Sequence, residues 1–321
     1  MIYTLTLNPT IDRTLTVEHF QVGGTFKAAH TVLLPAGKGI NAGRVIAVLG
    51  ERVAALGLVG ASDMASFAAT LERAGIENRL LAVPGATRNS VTILDPAAGS
   101  ETHLREPGAA PPASAVREIE SALDALSPGD WVLLAGSLPP GVPADTYRGL
   151  CRQCAARGAY TLLDTNGPAL LAGADAPPTL LKPNLLELWQ LDRGRPDLQM
   201  EAELGELTVS EVVAAAHRVR QRGVQMVVVS RGAQGVLAVD GEGRAWQAAV
   251  DLDRPVVDAV GSGDALAGGL LAGLVRGMTF AETLRLGVAC GAANALLAGA
   301  GRCRKEDIDR LLRRACVSAI G

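Results

Sequence analysis

In the last quarter of this 321-residue chain, Asp258-Ala-Val-Gly261-Ser262-Gly263-Asp264 runs directly into a long Ala/Leu/Gly segment. Two glycines permit a tight turn, and the apolar segment after it reads as a buried helix. The free N–H groups at such a helix start converge on one spot, where the helix dipole adds positive potential. That spot suits an anion. Asp264 lies in the same turn and has two roles open to it. It can cap the helix, or it can take a proton from a hydroxyl attacking bound phosphate. The helix terminus is expected to lower its pKa and leave it a weak base. Phosphoryl transfer tolerates a weak base because positioning dominates.

Four more segments carry candidate chemistry. Pro35-Ala36-Gly37-Lys38-Gly39-Ile40-Asn41-Ala42-Gly43 matches neither common phosphate loop. A Walker A sequence needs GxxxxGK[ST], and the dinucleotide GxGxxG fails because Gly43 comes one residue late. What remains is a lysine flanked by Gly37 and Gly39 ahead of a helix. The glycines allow close backbone approach, and Lys38 offers a compact charge for phosphate. The chain has 26 Arg and only 4 Lys, so a lysine here argues that an ammonium is wanted; a solvated loop lysine is the alternative. Asn8-Pro9-Thr10-Ile11-Asp12-Arg13 follows the first strand-like run, where Asp12 can hold sugar hydroxyls or simply form a turn. In Lys182-Pro183-Asn184-Leu-Leu-Glu187, Asn184 and Glu187 share one face of a helix start, as a cap or as outer-sphere groups near Mg²⁺. Ser230-Arg231-Gly232-Ala-Gln-Gly235 is a two-glycine turn that suits either a nucleotide or nothing at all.

The elements that position these segments alternate between strand and helix. Val53–Val59, Trp131–Ala135, Tyr160–Leu163 and Val224–Val229 are continuous apolar runs of the kind buried on both faces. Helical patterns lie between them, and Thr208 with Glu211 and Thr279 with Glu282 form capping boxes. The fold class is therefore α/β, a doubly wound, mostly parallel sheet with helices on both faces. Residues 12–34 and 88–107 instead alternate polar and apolar, which fits a small projecting sheet or edge strands of the main one. Asp192–Gly205 reads as a polar surface excursion. A net charge of −3 argues against a nucleic-acid-binding face, and no segment reads as a membrane span or export signal. Cys151-x-x-Cys154 lacks a second pair, so the five cysteines read as free thiols in the cytoplasm.

Taken in order, the segments resemble the PfkB (ribokinase-like) carbohydrate kinases over essentially the whole chain. Gly261-Ser262-Gly263-Asp264 is similar to that family's C-terminal signature and Ala36-Gly37-Lys38-Gly39-Ile40-Asn41 to its N-terminal one. Thr87-Arg88, Glu106-Pro107-Gly108, Gly136-Ser-Leu-Pro-Pro-Gly141 and Lys182-Pro183-Asn184-x-x-Glu187 resemble the bacterial sugar-phosphate branch. That branch holds 1-phosphofructokinase, tagatose-6-phosphate kinase and the minor 6-phosphofructokinase.

The resemblance implies one ribokinase-like domain over 1–321, with residues 12–34 and 88–107 as a lid that also makes a homodimer. It implies Asp264 as base, with Gly261, Ser262 and Gly263 as the anion hole. Asp12, Gly37, Gly39 and Asn41 would hold the sugar. Lys38 and Arg88 would hold its resident phosphate, with Lys27 and Arg105 in support. Lys182, Asn184, Ser230, Gly232 and Gly235 would line the ATP site, and Glu187 would order water around Mg²⁺. The implied reaction is ATP-dependent conversion of fructose 1-phosphate to fructose 1,6-bisphosphate, with fructose 6-phosphate and tagatose 6-phosphate as alternatives. Ala36, Asn89-Ser90 and Ser262 depart from the family pattern and loosen the choice of sugar. Two other classes are a non-catalytic sugar-phosphate sensor, which would have no need of Asp264, and an NAD-dependent oxidoreductase, which the failed glycine spacing disfavours.

Overall fold

The computed structural model describes residues 1–199 and 207–320. Strand β1 (Ile2–Thr6) lies at the middle of a ten-stranded sheet, between β4 (Val53–Gly60) and β8 (Trp131–Ala135). Ile2 stands opposite Val53 on one side and Trp131 on the other, both in parallel register. β5 (Glu77–Val83) extends the sheet beyond β4. On the other side β9 (Tyr160–Asp164), β10 (Leu180–Leu181) and β11 (Met226–Ser230) continue it in parallel. β12 (Val236–Val239), β13 (Ala245–Val250) and β14 (Ala315–Ile320) then close it antiparallel.

The apolar runs become strands because both faces are covered. Tyr3, Leu5, Val132 and Leu134 point to one face and pack with α3 (Ala113–Ala122), α4 (Thr146–Ala156), α5 (Gly167–Ala174), α6 (Leu185–Arg193) and α7 (Val209–Gln221). Ile2, Ala55 and Leu133 point to the other face. They pack with α1 (Lys38–Val48), α2 (Met64–Arg73), α8 (Ser262–Val275) and α9 (Phe280–Asn294). A further apolar layer joins α8 and α9 to α10 (Lys305–Arg314). Both threonine capping boxes form as the spacing predicts. The stretch Asp192–Gly205 begins as the end of α6 and a left-handed turn at Gly194, and its residues 200–205 lie outside the described residues.

The alternating segments do not join the main sheet. β2 (Thr10–Thr16), β3 (His30–Ala36), β6 (Arg88–Asp95) and β7 (Ser100–Arg105) form a separate four-stranded sheet in the order β3-β2-β6-β7. Its strands begin two residues earlier and end two residues later around the first segment than the pattern indicates. Among the described residues no helix is long and apolar enough to cross a membrane.

β1 is where the chain changes direction across the sheet, with β4 on one flank and β8 on the other. In open α/β sheets, ligands bind beyond the carboxyl ends of the strands at such a point. Asn8, Asp164, Lys182 and Ser230 all lie at or just past those ends.

Candidate active site

The central contact spans 223 positions of sequence: Asn41 Nδ2 donates to Asp264 Oδ2 at 2.8 Å. It exists because α1 and α8 cross at Gly268, where a Cβ would lie 2.8 Å from the Ala42 carbonyl oxygen and 3.1 Å from Val45 Cβ. A larger residue would push the helices apart and carry Asp264 away from Asn41. Gly261 caps α8 with φ 82°, a left-handed conformation that favours glycine. Its Cβ position is also closed, 2.6 Å from Ala300 Cβ. The turn is held from behind. The buried Asp258 carboxylate accepts from the N–H groups of Val260 (2.8 Å) and Gly299 (2.9 Å), and Asn294 Nδ2 donates to the Val260 carbonyl at 2.8 Å.

Of the three N–H groups expected to form an anion hole, that of Ser262 is spent on the Ala259 carbonyl at 3.2 Å. The N–H groups of Gly261 and Gly263 have no protein acceptor among the described residues, and neither does that of Asp264 itself. Asp264 does not cap its own helix. Its pKa also departs from the sequence-based expectation. Burial raises it, Lys38 opposes that and Asp164 reinforces it, and the carboxyl titrates at about 6. Desolvation outweighs the helix terminus because the carboxyl is buried and the dipole is not the only field present. Asp264 is thus a stronger base than the sequence alone implies.

Beside it lies a charge cluster that the sequence reading reached only in part. Asp164, at the end of β9 and 1% exposed, binds Lys38 Nζ at 2.8 Å and Lys182 Nζ at 3.1 Å. Burial would raise the Asp164 carboxyl, but Lys182 and Lys38 together hold it below the ordinary carboxylate range. Burial likewise works against the Lys38 ammonium, but Asp164, Glu187 and Asp264 raise its pKa above the ordinary value. The Lys182 ammonium reaches the glycine turn, since a Cβ on Gly263 would sit 3.6 Å from its Nζ. Asn184 and Glu187 form a reciprocal capping box, each accepting from the other's backbone N–H at 2.8 Å. This leaves Glu187 Oε1 without a protein donor among the described residues, and burial raises its pKa. Ser230 bridges to Asn184, bringing the Ser230–Gly235 turn alongside.

A second group lies on the small-sheet side. Asp12, half-buried on β2, titrates at about 6, raised by burial and then by Asp264, against Arg44 and Arg88. Arg88 donates to the carbonyls of Pro9 (3.3 Å), Glu106 (2.9 Å) and Asn8 (3.1 Å), so it uses three of its five N–H groups. Arg105 is exposed at the end of β7 and acts on Arg88 electrostatically. Lys27 is exposed on the segment between β2 and β3, and among the described residues no hydrogen bond ties it to the site. Lys38 pairs with Asp164, whereas the charges acting on Arg88 are those of Asp12, Arg105 and Glu106. Gly37 and Gly39 hold the start of α1 against β1, with Gly39 N–H donating to Thr6 Oγ1 at 3.1 Å.

A buried carboxyl, unused helix N–H groups and flanking ammonium groups are an arrangement that can hold and transfer a phosphoryl group. The chain belongs to the pfkB family of carbohydrate kinases, whose model matches residues 5–307. It is 37% identical to a 1-phosphofructokinase of Rhodobacter capsulatus over 292 residues, covering 90% of this chain and 88% of that one. It is 33% identical to the ATP-dependent 6-phosphofructokinase isozyme 2 of Mycobacterium tuberculosis over 319 residues, covering 98% and 89%. The fold is similar to that of phosphofructokinase-2 from Escherichia coli in complex with fructose-6-phosphate, with a TM-score of 0.86, 27% identity, and coverage of 97% and 98%.

Proposed function

We propose that this carbohydrate kinase transfers the terminal phosphoryl group of ATP to a ketohexose that already carries a phosphate, fructose 1-phosphate before fructose 6-phosphate or tagatose 6-phosphate. The observation that carries this reading is the Asp264 carboxyl. It is buried against the glycine turn and held by Asn41 on one oxygen, with the other free for a substrate hydroxyl. The identity to 1-phosphofructokinase over nine-tenths of the chain supports the first-ranked sugar.

The roles follow from the two charge groups. Asp12 and Asn41 face the sugar. Arg88, with two N–H groups to spare, and Arg105 attract its resident phosphate. The Gly261, Gly263 and Asp264 N–H groups bind the oxygens of the transferring phosphoryl group, with Lys38 and Lys182 adding charge. Ser230, Gly232 and Gly235 lie against the nucleotide. Asp264 takes the hydroxyl proton as the new P–O bond forms and the bond to ADP breaks. No trio of His, Cys, Asp or Glu among the described residues could hold a metal by itself. A magnesium ion held largely by nucleotide phosphates and water fits the unspent Oε1 of Glu187, and when bound it offsets phosphate charge.

The four-stranded sheet acts as a lid over the sugar, excluding water from the transfer. Val32, Leu33 and Leu104 on it are 42%, 54% and 58% exposed, which supports pairing with a second copy. The five free cysteines accord with a reducing cytoplasm.

The test is ADP release with MgATP, comparing the three sugar phosphates and free fructose at equal low concentration. Preference for fructose 1-phosphate is expected. Turnover of free fructose alone would remove Arg88 from its role. Absence of ADP with any phosphorylated ketohexose would overturn the reading.

A further inference from the structure

The site contains a buried cation that none of these roles uses. Arg44 lies one turn beyond Asn41 on α1 and is 8% exposed. Its Nη1 donates to Asn41 Oδ1 at 2.9 Å and to the Ala300 carbonyl at 3.2 Å, and its Nη2 donates to the Pro35 carbonyl. Every one of these partners is neutral, although Asp12 and Asp264 act on it through space.

An amide accepts at oxygen and donates at nitrogen, so its direction matters. Asn41 sits between a guanidinium, which only donates, and the Asp264 carboxylate, which only accepts. Turned over, the amide would set N–H against N–H and oxygen against oxygen. We propose that Arg44 is a positioning residue for phosphoryl transfer: it locks the Asn41 amide so that Asp264 Oδ2 is anchored and the other carboxylate oxygen is left for the substrate hydroxyl.

The other two bonds widen its reach. Pro35 lies on β3, so Arg44 fastens the root of the small sheet. Ala300 backs Gly261, so Arg44 also braces the glycine turn. Three acceptors in one fork suit a planar guanidinium and not a point-charge ammonium.

This inference rests on Asp264 being the base, and the experiment separates the two. A double-mutant cycle combines Arg44→Met with Asn41→Ala, reading kcat, both KM values and the melting temperature, with Asp264→Asn run alongside. Each single variant is expected to lower kcat about tenfold or more, with KM for ATP within about twofold, and the double variant to be no worse than the poorer single. Arg44→Lys should recover part of the loss. Multiplying losses, or a fall in kcat that follows the melting temperature with both KM values rising together, would overturn the proposal. Should Arg44→Met not fold, Arg44→Lys in the same cycle gives the same reading. If Asp264→Asn left turnover intact, the base assignment would fail, and this proposal with it. If Asp264→Asn abolished turnover while Arg44 and Asn41 proved independent, only the positioning role would fail.

Discussion

The two sheets meet at the site but are built differently. In the ten-stranded sheet, β1, β4 and β8 are buried at every residue, and the charges at the end of β9 and in the helix start after β10 find partners within the protein. Asp164 has two lysines, and Glu187 has a backbone N–H. In the four-stranded sheet, β7 is exposed along nearly its whole length, and Arg88 rests on carbonyls with N–H groups unspent. The large sheet is finished before any ligand arrives. The small one leaves Val32, Leu33 and Leu104 exposed and N–H groups of Arg88 unspent. Under the proposed function, the buried sheet carries the transfer machinery and the more exposed one chooses the acceptor.

Asp264→Asn strikes the finished side hardest. It should cost about 10²–10⁴-fold in kcat while leaving sugar-phosphate affinity near normal by calorimetry. Asp164→Ala comes next, because it strands two ammonium groups. A loss of about 3–5 kcal/mol is expected in urea unfolding, and a cost under 1 kcal/mol would show that the cluster is not preassembled.

On the open side, Arg88→Ala should raise KM for the sugar phosphate about 10- to 100-fold with a smaller change in kcat, the worth of a charged hydrogen bond. An unchanged KM would assign Arg88 wholly to stitching its three carbonyls. The pH profile probes both sides together. Asp12 and Asp264 each titrate at about 6, and Asp264 helps to raise Asp12, so kcat/KM should fall below that pH with a slope steeper than one proton. A single-proton limb would leave only one of them essential. Smallest is Leu33→Asp, which should weaken self-association in sedimentation while moving monomer stability by about 0.5 kcal/mol or less.

Asp264 also carries a sign that can be checked. Its folded pKa lies above the unfolded value, so the folded state binds the extra proton. Stability from this group is present below about pH 4 and is lost as pH rises through about 6. Asp264→Asn should therefore be more stable than the parent at pH 8, by up to about 3 kcal/mol in urea unfolding.

Much of this was legible in the sequence. The apolar runs gave strands because each is covered on both faces, and the glycine turn with Asp264 announced its helix. Asp164 was hidden because it ends a run, Tyr160–Leu163, whose apolar character says only "strand". Arg44 was hidden because an arginine inside a helix looks like surface until its three acceptors are seen. Helix polarity is local in sequence and argues for a low Asp264 pKa, whereas the burial that raises it depends on α1, which is more than two hundred residues away. The small sheet could be read as strands but not located, since a two-residue period does not say which sheet a strand joins.

The glycine-lined contacts have a consequence for how the protein is made. A Cβ on Gly301 would meet Asn41 Cα at 2.6 Å, as one on Gly261 would meet Ala300. The centre is thus sealed by backbone from the early, late and last parts of the chain. The packing around Asn41 and Gly261 is therefore complete only after residues through about 301 have been made. Most of the strands of the main sheet precede Gly261 and can pair during synthesis, whereas this centre closes only once the segment around Gly301 is available.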